Sequence, residues 1–258
     1  MEENDELTAN KIRQKLDERF NIVFSASKIK RLRKGLGWYG TGMKYCQLVR
    51  DANKIKRLDF ATLNINANFD NVLWSDESTI QLDWNGKLSF HRWWEPVKLK
   101  GKPKHPYKIN VWGCISKRGT SPLFMFTGIM DAKFYCEEIL TKRLNPFIDD
   151  VFPEGHRFMQ DNDPKHTSKL AKETFEKLNI NWWKTPAESP DMNPIENLWH
   201  EIKERLRNDI KPRTKEELLD GLNEVWGSIT PEKCRRYISH LRKVIPKVIE
   251  RNGKASGY

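Results

Sequence analysis

The chain has 258 residues, with 46 Lys plus Arg against 35 Asp plus Glu, which leaves a formal net charge of +11. Hydrophobic residues at 38% and ten Trp exclude a disordered polyelectrolyte, and no stretch nears the ~18 uninterrupted apolar residues of a membrane-spanning helix. Surplus positive charge on a chain long enough to bury a core favours an anionic partner, nucleic acid first, although charge alone leaves a merely soluble basic protein open.

The first twenty residues, MEENDELTANKIRQKLDERF, are charged throughout, so no secretory signal is expected. Thr8 to Phe20 reads as a helix, with Ile12, Leu16 and Phe20 four apart on one face. Ser25 or Ser27 caps a second helix carrying Ile29, Leu32 and Leu36, which Gly35 and Gly37 end. Two short helices around a tight connection, the second basic, suggest a helix-turn-helix; a hairpin with a solvated basic face is the other reading. From Ser25 to Arg57 ten Lys or Arg face one acid, Asp51, so this window carries 10 − 1 = +9 of the total +11. Its candidate phosphate contacts are Lys28, Lys30, Arg31, Arg33, Lys34, Lys54, Lys56 and Arg57.

From Asn71 the character becomes β. NVLWSDESTIQL, GKLSFHRWW, KINVWGCIS and PLFMFTGI are short apolar runs broken by Asn-Gly and Arg-Gly turns. A helix is expected over Asp131–Val151, then a strand RFMQ ending at Asp161, a helix Pro164–Leu178 and a strand INWWK. Beyond Pro194 the pattern is helical, with breaks near Lys211-Pro212 and Thr230-Pro231. Hairpins followed by βαβα predict a mixed sheet covered by helices. The four cysteines (Cys46, Cys114, Cys136, Cys234) form no C-x-x-C pair, which argues against a zinc ribbon or disulfide framework.

Three acids stand at positions where carboxylates are costly or where ligands gather. Asp76 lies inside the first strand, where an unpaired carboxylate costs free energy. Asp161 ends the strand RFMQD, and strand ends are where open α/β sheets hold ligands. Glu196 opens the helix PIENLWHEIKERL, either as the third helical residue of a capping box with Asn193 or leaning over the sheet from the edge of the buried stripe. Glu77 should point to the opposite sheet face from Asp76, and Asp163 before Pro164 reads as a helix cap. If Asp76, Asp161 and Glu196 converge, their hard oxygens suit Mg²⁺ or Mn²⁺ and not zinc. Two such ions, ~3.5–4 Å apart, serve phosphodiester chemistry without a covalent enzyme intermediate. His156 and His166 lack a zinc-type spacing; His166 either contacts a phosphate or caps, and with Asn162 and Asn193 it is a candidate supporting residue around the acids. No G-x-S-x-G or P-loop is present. The Trp pairs at 93–94 and 182–183 fit base stacking or the core.

VLWSDEST at 72–79, VWGCIS at 111–116, QDNDPKHTS at 160–168, SPDMNPIENLW at 189–199 and the ending GKASGY together resemble the Tc/mariner superfamily of cut-and-paste DNA transposases, on the Tc-like branch. In that family two Asp and a Glu sit on a ribonuclease-H-like fold with 34 residues between the second and third acid, the spacing of Asp161 and Glu196 here. The mariner branch carries Asp at the third position. The resemblance therefore implies that Asp76, Asp161 and Glu196 are catalytic and hold Mg²⁺ or Mn²⁺. It implies an α/β fold, a ribonuclease-H-like mixed sheet flanked by helices and preceded by a small α-helical helix-turn-helix module. The expected division is a helix-turn-helix module at 1–40, a basic connector at 41–69 and the catalytic domain at 70–258. Family members begin with two helix-turn-helix units; this chain is expected to start at the second. The implied reaction is hydrolysis of a phosphodiester at an element end, then attack of the freed 3′-hydroxyl on target DNA. The implied partners are double-stranded DNA, as terminal inverted repeat and as target, and a second copy of the chain on paired ends. KIKRLRK at 28–34 suits a nuclear address as well as DNA binding. A transposase that only binds DNA, or a nuclease on the same fold, are the alternatives.

Overall fold

The computed structural model describes residues 7–40, 42, 46–82, 92–97, 99, 101 and 104–258. The chain forms two compact units, Met1–Tyr45 and Cys46–Tyr258. In the first, α2 (Ala26–Gly35) starts at the expected cap, Ser25, which accepts from the Lys28 amide at 3.2 Å; α1 (Ala9–Phe20) starts one residue later than expected, with Thr8 as its cap, accepting from the Lys11 amide at 3.3 Å. Ala9 and Ile29 are buried, whereas Phe20 and Leu36 stay exposed. Lys28, Lys30, Arg31 and Lys34 are exposed on α2, while Arg33 folds inward and donates to the Leu7 carbonyl.

The second unit opens with α3 (Asp51–Asn64), so residues 51–64 are not connector but a helix built into this unit. The sheet follows: β1 (Val72–Gln81), β2 (Lys108–Ser116), β3 (Gly119–Thr120), β4 (Phe124–Phe126) and β5 (Arg157–Met159). The order is β3-β2-β1-β5, with β4 also on β2. β1 runs antiparallel to β2, pairing Asp76 with Gly113, and parallel to β5, pairing Trp74 with Met159. The segment INWWK, expected to be a strand, makes only one bridge, Phe158 to Trp182. Its two Trp part to opposite sides of the sheet, Trp182 to one core and Trp183 to the other, and Trp182 is followed by no further ladder. The strand expected over 86–94 falls largely on residues outside the described ones, and Trp93 and Trp94 are exposed rather than core.

Alternation along β1 sorts the two cores. Val72 and Trp74 face Ile195, Leu198, Trp199 and Ile202, whereas Leu73 faces Ile139, Leu140, Leu144 and Phe175. The second layer is supplied by α4, helical over 132–151 with its middle, Tyr135–Leu144, wound as a π-helix, and by α5 (Pro164–Thr167) and α6 (Lys169–Lys177). The first layer is supplied by α7 (Pro194–Arg205), α8 (Lys215–Gly227), α9 (Pro231–Ser239) and α10 (Leu241–Glu250). The period of two continues past Trp74: Asp76 points to the α7 side and Glu77 to the α4–α6 side.

Candidate active site

Asp76, Asp161 and Glu196 line one cavity of about 390 Å³. β1 supplies Asp76, the turn after β5 supplies Asp161, and the first turn of α7 supplies Glu196. Asp76 is half-buried, whereas Asp161 and Glu196 reach solvent at the mouth. Asn162 and Asn193 share the lining. Among the described residues no three such side chains form a ready-made metal cage; the acids share an open pocket rather than a closed shell.

The electrostatics differ from acid to acid. Burial, and then the charges of Glu196, Glu77 and Asp161, push the Asp76 carboxyl up to about 8, against a hydrogen bond from the Glu77 backbone. Burial and Asp161 raise Glu196 as well, partly offset by Lys203 and by a hydrogen bond with Asp76. Asp161 moves the other way. Burial works to raise it, but His166, the Asp163 amide and Lys165 outweigh that and hold it below the usual carboxylate range.

His166 is the hinge of this difference. Its Nδ1 lies 2.5 Å from Asp161 Oδ1 and its Nε2 lies 3.2 Å from Glu77 Oε1. Burial opposes its charge, yet the two carboxylates raise it to about 9, so both ring nitrogens donate at neutral pH. Tyr135 packs against the ring in a tilted arrangement, 4.4 Å between centroids, and donates its hydroxyl to Gln160, whose amide donates in turn to the His166 carbonyl at 3.3 Å. Lys165 braces the same cluster, 3.0 Å from Asp163 and 3.7 Å from Glu77. Asp163 also accepts from the Lys165 amide at 3.0 Å, the expected cap. Asn162 donates to the Thr185 carbonyl at 2.9 Å, which ties the turn after β5 to the opposite wall.

Asn193 does not cap α7. Its Nδ2 donates to the Ser75 carbonyl at 3.3 Å, and its Oδ1 is buried without a hydrogen-bond partner. The capping-box alternative for Glu196 therefore fails. The Asn193 side chain is spent on β1, one residue from Asp76, and the Glu196 carboxyl faces the cavity.

Sequence reasoning missed two residues and misplaced one. Glu77 and Lys165 belong to the site from behind, through His166; the strand period that sent Glu77 to the other face was right, but that face also serves the acids. Arg57 was counted among phosphate contacts, yet it is fully buried. Its guanidinium is held 2.8 Å from both carboxylate oxygens of Asp191, so it has no donor to offer a phosphate. Lys54 is half-buried and pairs with Asp51 at 2.7 Å, which leaves Lys56 as the open cation of the three on α3.

Residues 71–219 match the family described as DDE superfamily endonuclease. The chain is 31% identical over 194 residues to the transposable element Tc1 transposase of Caenorhabditis elegans, covering 72% of this chain and 70% of that one. It is 27% identical over 248 residues to the Tcb2 transposase of Caenorhabditis briggsae, covering 92% and 89%. Among solved structures, the Mos1 mariner paired-end complex with Mn superposes with a TM-score of 0.83 at 18% identity, over 98% of this chain and 76% of that one. The Mos1 catalytic domain superposes with a TM-score of 0.65 at 18% identity, over 82% and 98%. The mixed sheet flanked by helices is thus the ribonuclease-H-like fold expected from the motifs.

Proposed function

From a chain that belongs to the DDE superfamily endonucleases, as a transposase of the Tc/mariner superfamily, we propose that Asp76, Asp161 and Glu196 are the catalytic carboxylates of DNA cleavage and strand transfer. The observation that carries this is the pocket shared by three acids from distant parts of the sequence, in which burial, and then the charges of Glu196, Glu77 and Asp161, raise Asp76 to about 8. Acids gathered at that electrostatic cost, with an orphaned amide oxygen of Asn193 beside them, fit a hard divalent cation. Divalent metal use follows for this chain from the same donor set, and we extend it to two Mg²⁺ or Mn²⁺ ions. Bound there, such ions supply Lewis-acid stabilisation to the attacking and leaving oxygens of a phosphodiester.

The protein's own groups set the geometry. Asp76 is fixed by its strand, and Asp161 by the charged hydrogen bond from His166, which Glu77 anchors from behind. Glu196 is presented by the first turn of α7, locked to β1 through Asn193 and Ser75. Asp161 is held below the usual carboxylate range while Asp76 and Glu196 are raised, so the three acids enter the site with different affinities for a proton. The exposed Lys28, Lys30, Arg31 and Lys34 of the first unit supply phosphate contacts in this reading. The reading extends to terminal-repeat and target DNA, to a pair of chains on two element ends, and to nuclear import through residues 28–34.

The test is Asp161→Asn in the full chain, with duplex DNA bearing the flanking inverted repeat. Mg²⁺-dependent nicking falls below detection while a gel shift is retained. Nicking by the purified variant at the wild-type rate would overturn the assignment, and a gel shift without nicking in the wild type would leave a DNA-binding protein.

A further inference from the structure

The acid site has a support built on α3. The Arg57 guanidinium is fully enclosed, and five acceptors surround it. Nε donates to the Gly253 carbonyl at 2.9 Å; Nη1 donates to the Glu188 carbonyl at 2.7 Å and to Asp191 Oδ1 at 2.8 Å; Nη2 donates to Asp191 Oδ2 at 2.8 Å and to the Lys254 carbonyl at 3.4 Å. The Ser256 amide completes Asp191 at 2.8 Å. Three segments far apart in sequence thus close on one cation: α3, the loop at 188–193 and residues 253–256.

The loop at 188–193 forms part of the wall of the acid pocket and leads directly into α7. Glu188 holds a left-handed backbone, φ +57°, that a non-glycine residue adopts only under constraint. Its carboxylate accepts from the Arg50 amide at 2.8 Å and from Arg50 Nε at 2.6 Å, at the start of α3. Gly253 is equally committed: a Cβ there would lie 1.9 Å from the Lys54 carbonyl oxygen, so only glycine lets this segment reach Arg57. From Asp191 the constraint passes through the single residue Met192 to Asn193, which holds the Ser75 carbonyl beside Asp76, and then to Glu196.

We propose that Arg57 is a positioning residue for the acid site: by clamping Asp191 and the Glu188 carbonyl it fixes the 188–193 loop, and so sets the distance of Glu196 from Asp76. This rests on the carboxylate reading above. A buried ion pair that only held the fold together would be replaceable by apolar groups at little cost. A bidentate clamp that aims a ligand-bearing helix start is not replaceable, even by Lys, because one ammonium cannot meet five acceptors in a plane.

The experiment uses Mn²⁺ alone, without DNA, followed by electron paramagnetic resonance of the free ion on the full-length wild type, Arg57→Lys and Asp161→Asn, with circular dichroism and melting temperature recorded for each. Arg57→Lys weakens Mn²⁺ binding about tenfold, the scale seen when supporting residues of a metal site are removed, while its folded spectrum at 20–25 °C is retained. Asp161→Asn abolishes binding. A clamp that is merely structural lowers the melting temperature and leaves the Mn²⁺ affinity of the folded protein unchanged; that result overturns the proposal. If Asp161→Asn binds Mn²⁺ as the wild type does, it is the carboxylate reading that falls, whatever Arg57 does. Should Arg57→Lys not fold, Asp191→Asn, which keeps the shape and removes the charge, is measured in its place under the same two criteria.

Discussion

Replacing Gly113 by Ala probes how the sheet supports the acids. Gly113 sits on β2 directly opposite Asp76. A Cβ there would lie 2.4 Å from Cη2 of Trp226 and 3.1 Å from Cη2 of Trp199. Ordinary contact begins at 3.4 Å, so Trp226 must retreat by 3.4 − 2.4 = 1.0 Å. It has little room to do so: it is buried, stacked on Trp199 at 5.2 Å, and its Nε1 donates to the Ser121 carbonyl at 2.8 Å. Overpacking of this kind costs about 1–3 kcal/mol, and loss of the indole hydrogen bond adds about 1 kcal/mol. A total of about 2–4 kcal/mol lowers the melting temperature of a unit this size by roughly 4–16 °C. Trp199 lies one turn beyond Glu196 on α7, so the displacement reaches the acid pocket and nicking falls with it. Calorimetry on Gly113→Ala, Trp226→Phe and the double variant measures this. The smaller ring makes room for the methyl group, so the double variant loses less than the sum of the singles, by about 1–2 kcal/mol of coupling. A Gly113→Ala protein melting within 2 °C of the wild type would refute the reasoning.

Two further outcomes concern the charges outside the pocket. Burial opposes the charge of Asp191, but Arg57 and Ser256 outweigh it and keep its carboxyl below the ordinary value of 3.8. A folded pKa depressed in this way contributes stability above 3.8 that disappears as pH falls through the lower folded value. Asp191→Asn is therefore less stable than wild type by about 3–5 kcal/mol at pH 7, and the gap narrows below about pH 3.8; urea unfolding at pH 7 and pH 3 reads it, and a pH-independent gap contradicts the pair. For the first unit, changing Lys28, Lys30 or Arg31 to Gln reduces the slope of log K against log salt for duplex binding by about one for each. An unchanged slope would remove that residue from the phosphate contacts.

How far the sequence could be read follows from which forces it displays. Helix and strand periods are local, and they placed α1, α2, β1, β2 and β5 where the structure has them. The expected caps at Ser25 and Asp163 are equally local. What a residue's charge is used for is not local. Arg57 sits in a run of cations, and a run invites one interpretation for all its members. Yet on α3 its neighbours in sequence point elsewhere: Lys56 is exposed, Arg57 is buried. Its acceptors come from residues more than 130 positions away, at 188–191 and 253–254. Glu77 was likewise assigned to the correct face and denied a role, because the occupant of that face, His166, lies 89 residues further on.

Glu196 shows why the motif had to be joined to geometry. Asn-Pro-Ile-Glu is written as a capping box by spacing alone, and a box would turn the glutamate back on its own helix. Whether it does so depends on Asn193, and Asn193 has a competing acceptor in the Ser75 carbonyl, which exists only once β1 lies beneath the start of α7. Cap and clamp exclude each other, since one Asn side chain cannot face both the helix end and the strand. The choice of the strand leaves the first turn of α7 closed by Pro194, which needs no cap at its own nitrogen, and by the Asn193 carbonyl, which accepts from the Glu196 amide at 3.2 Å. The glutamate is thereby released toward Asp76, where burial raises both carboxyls. The glutamate's turn toward the pocket and the helix's indifference to a side-chain cap both follow from the same hydrogen bond.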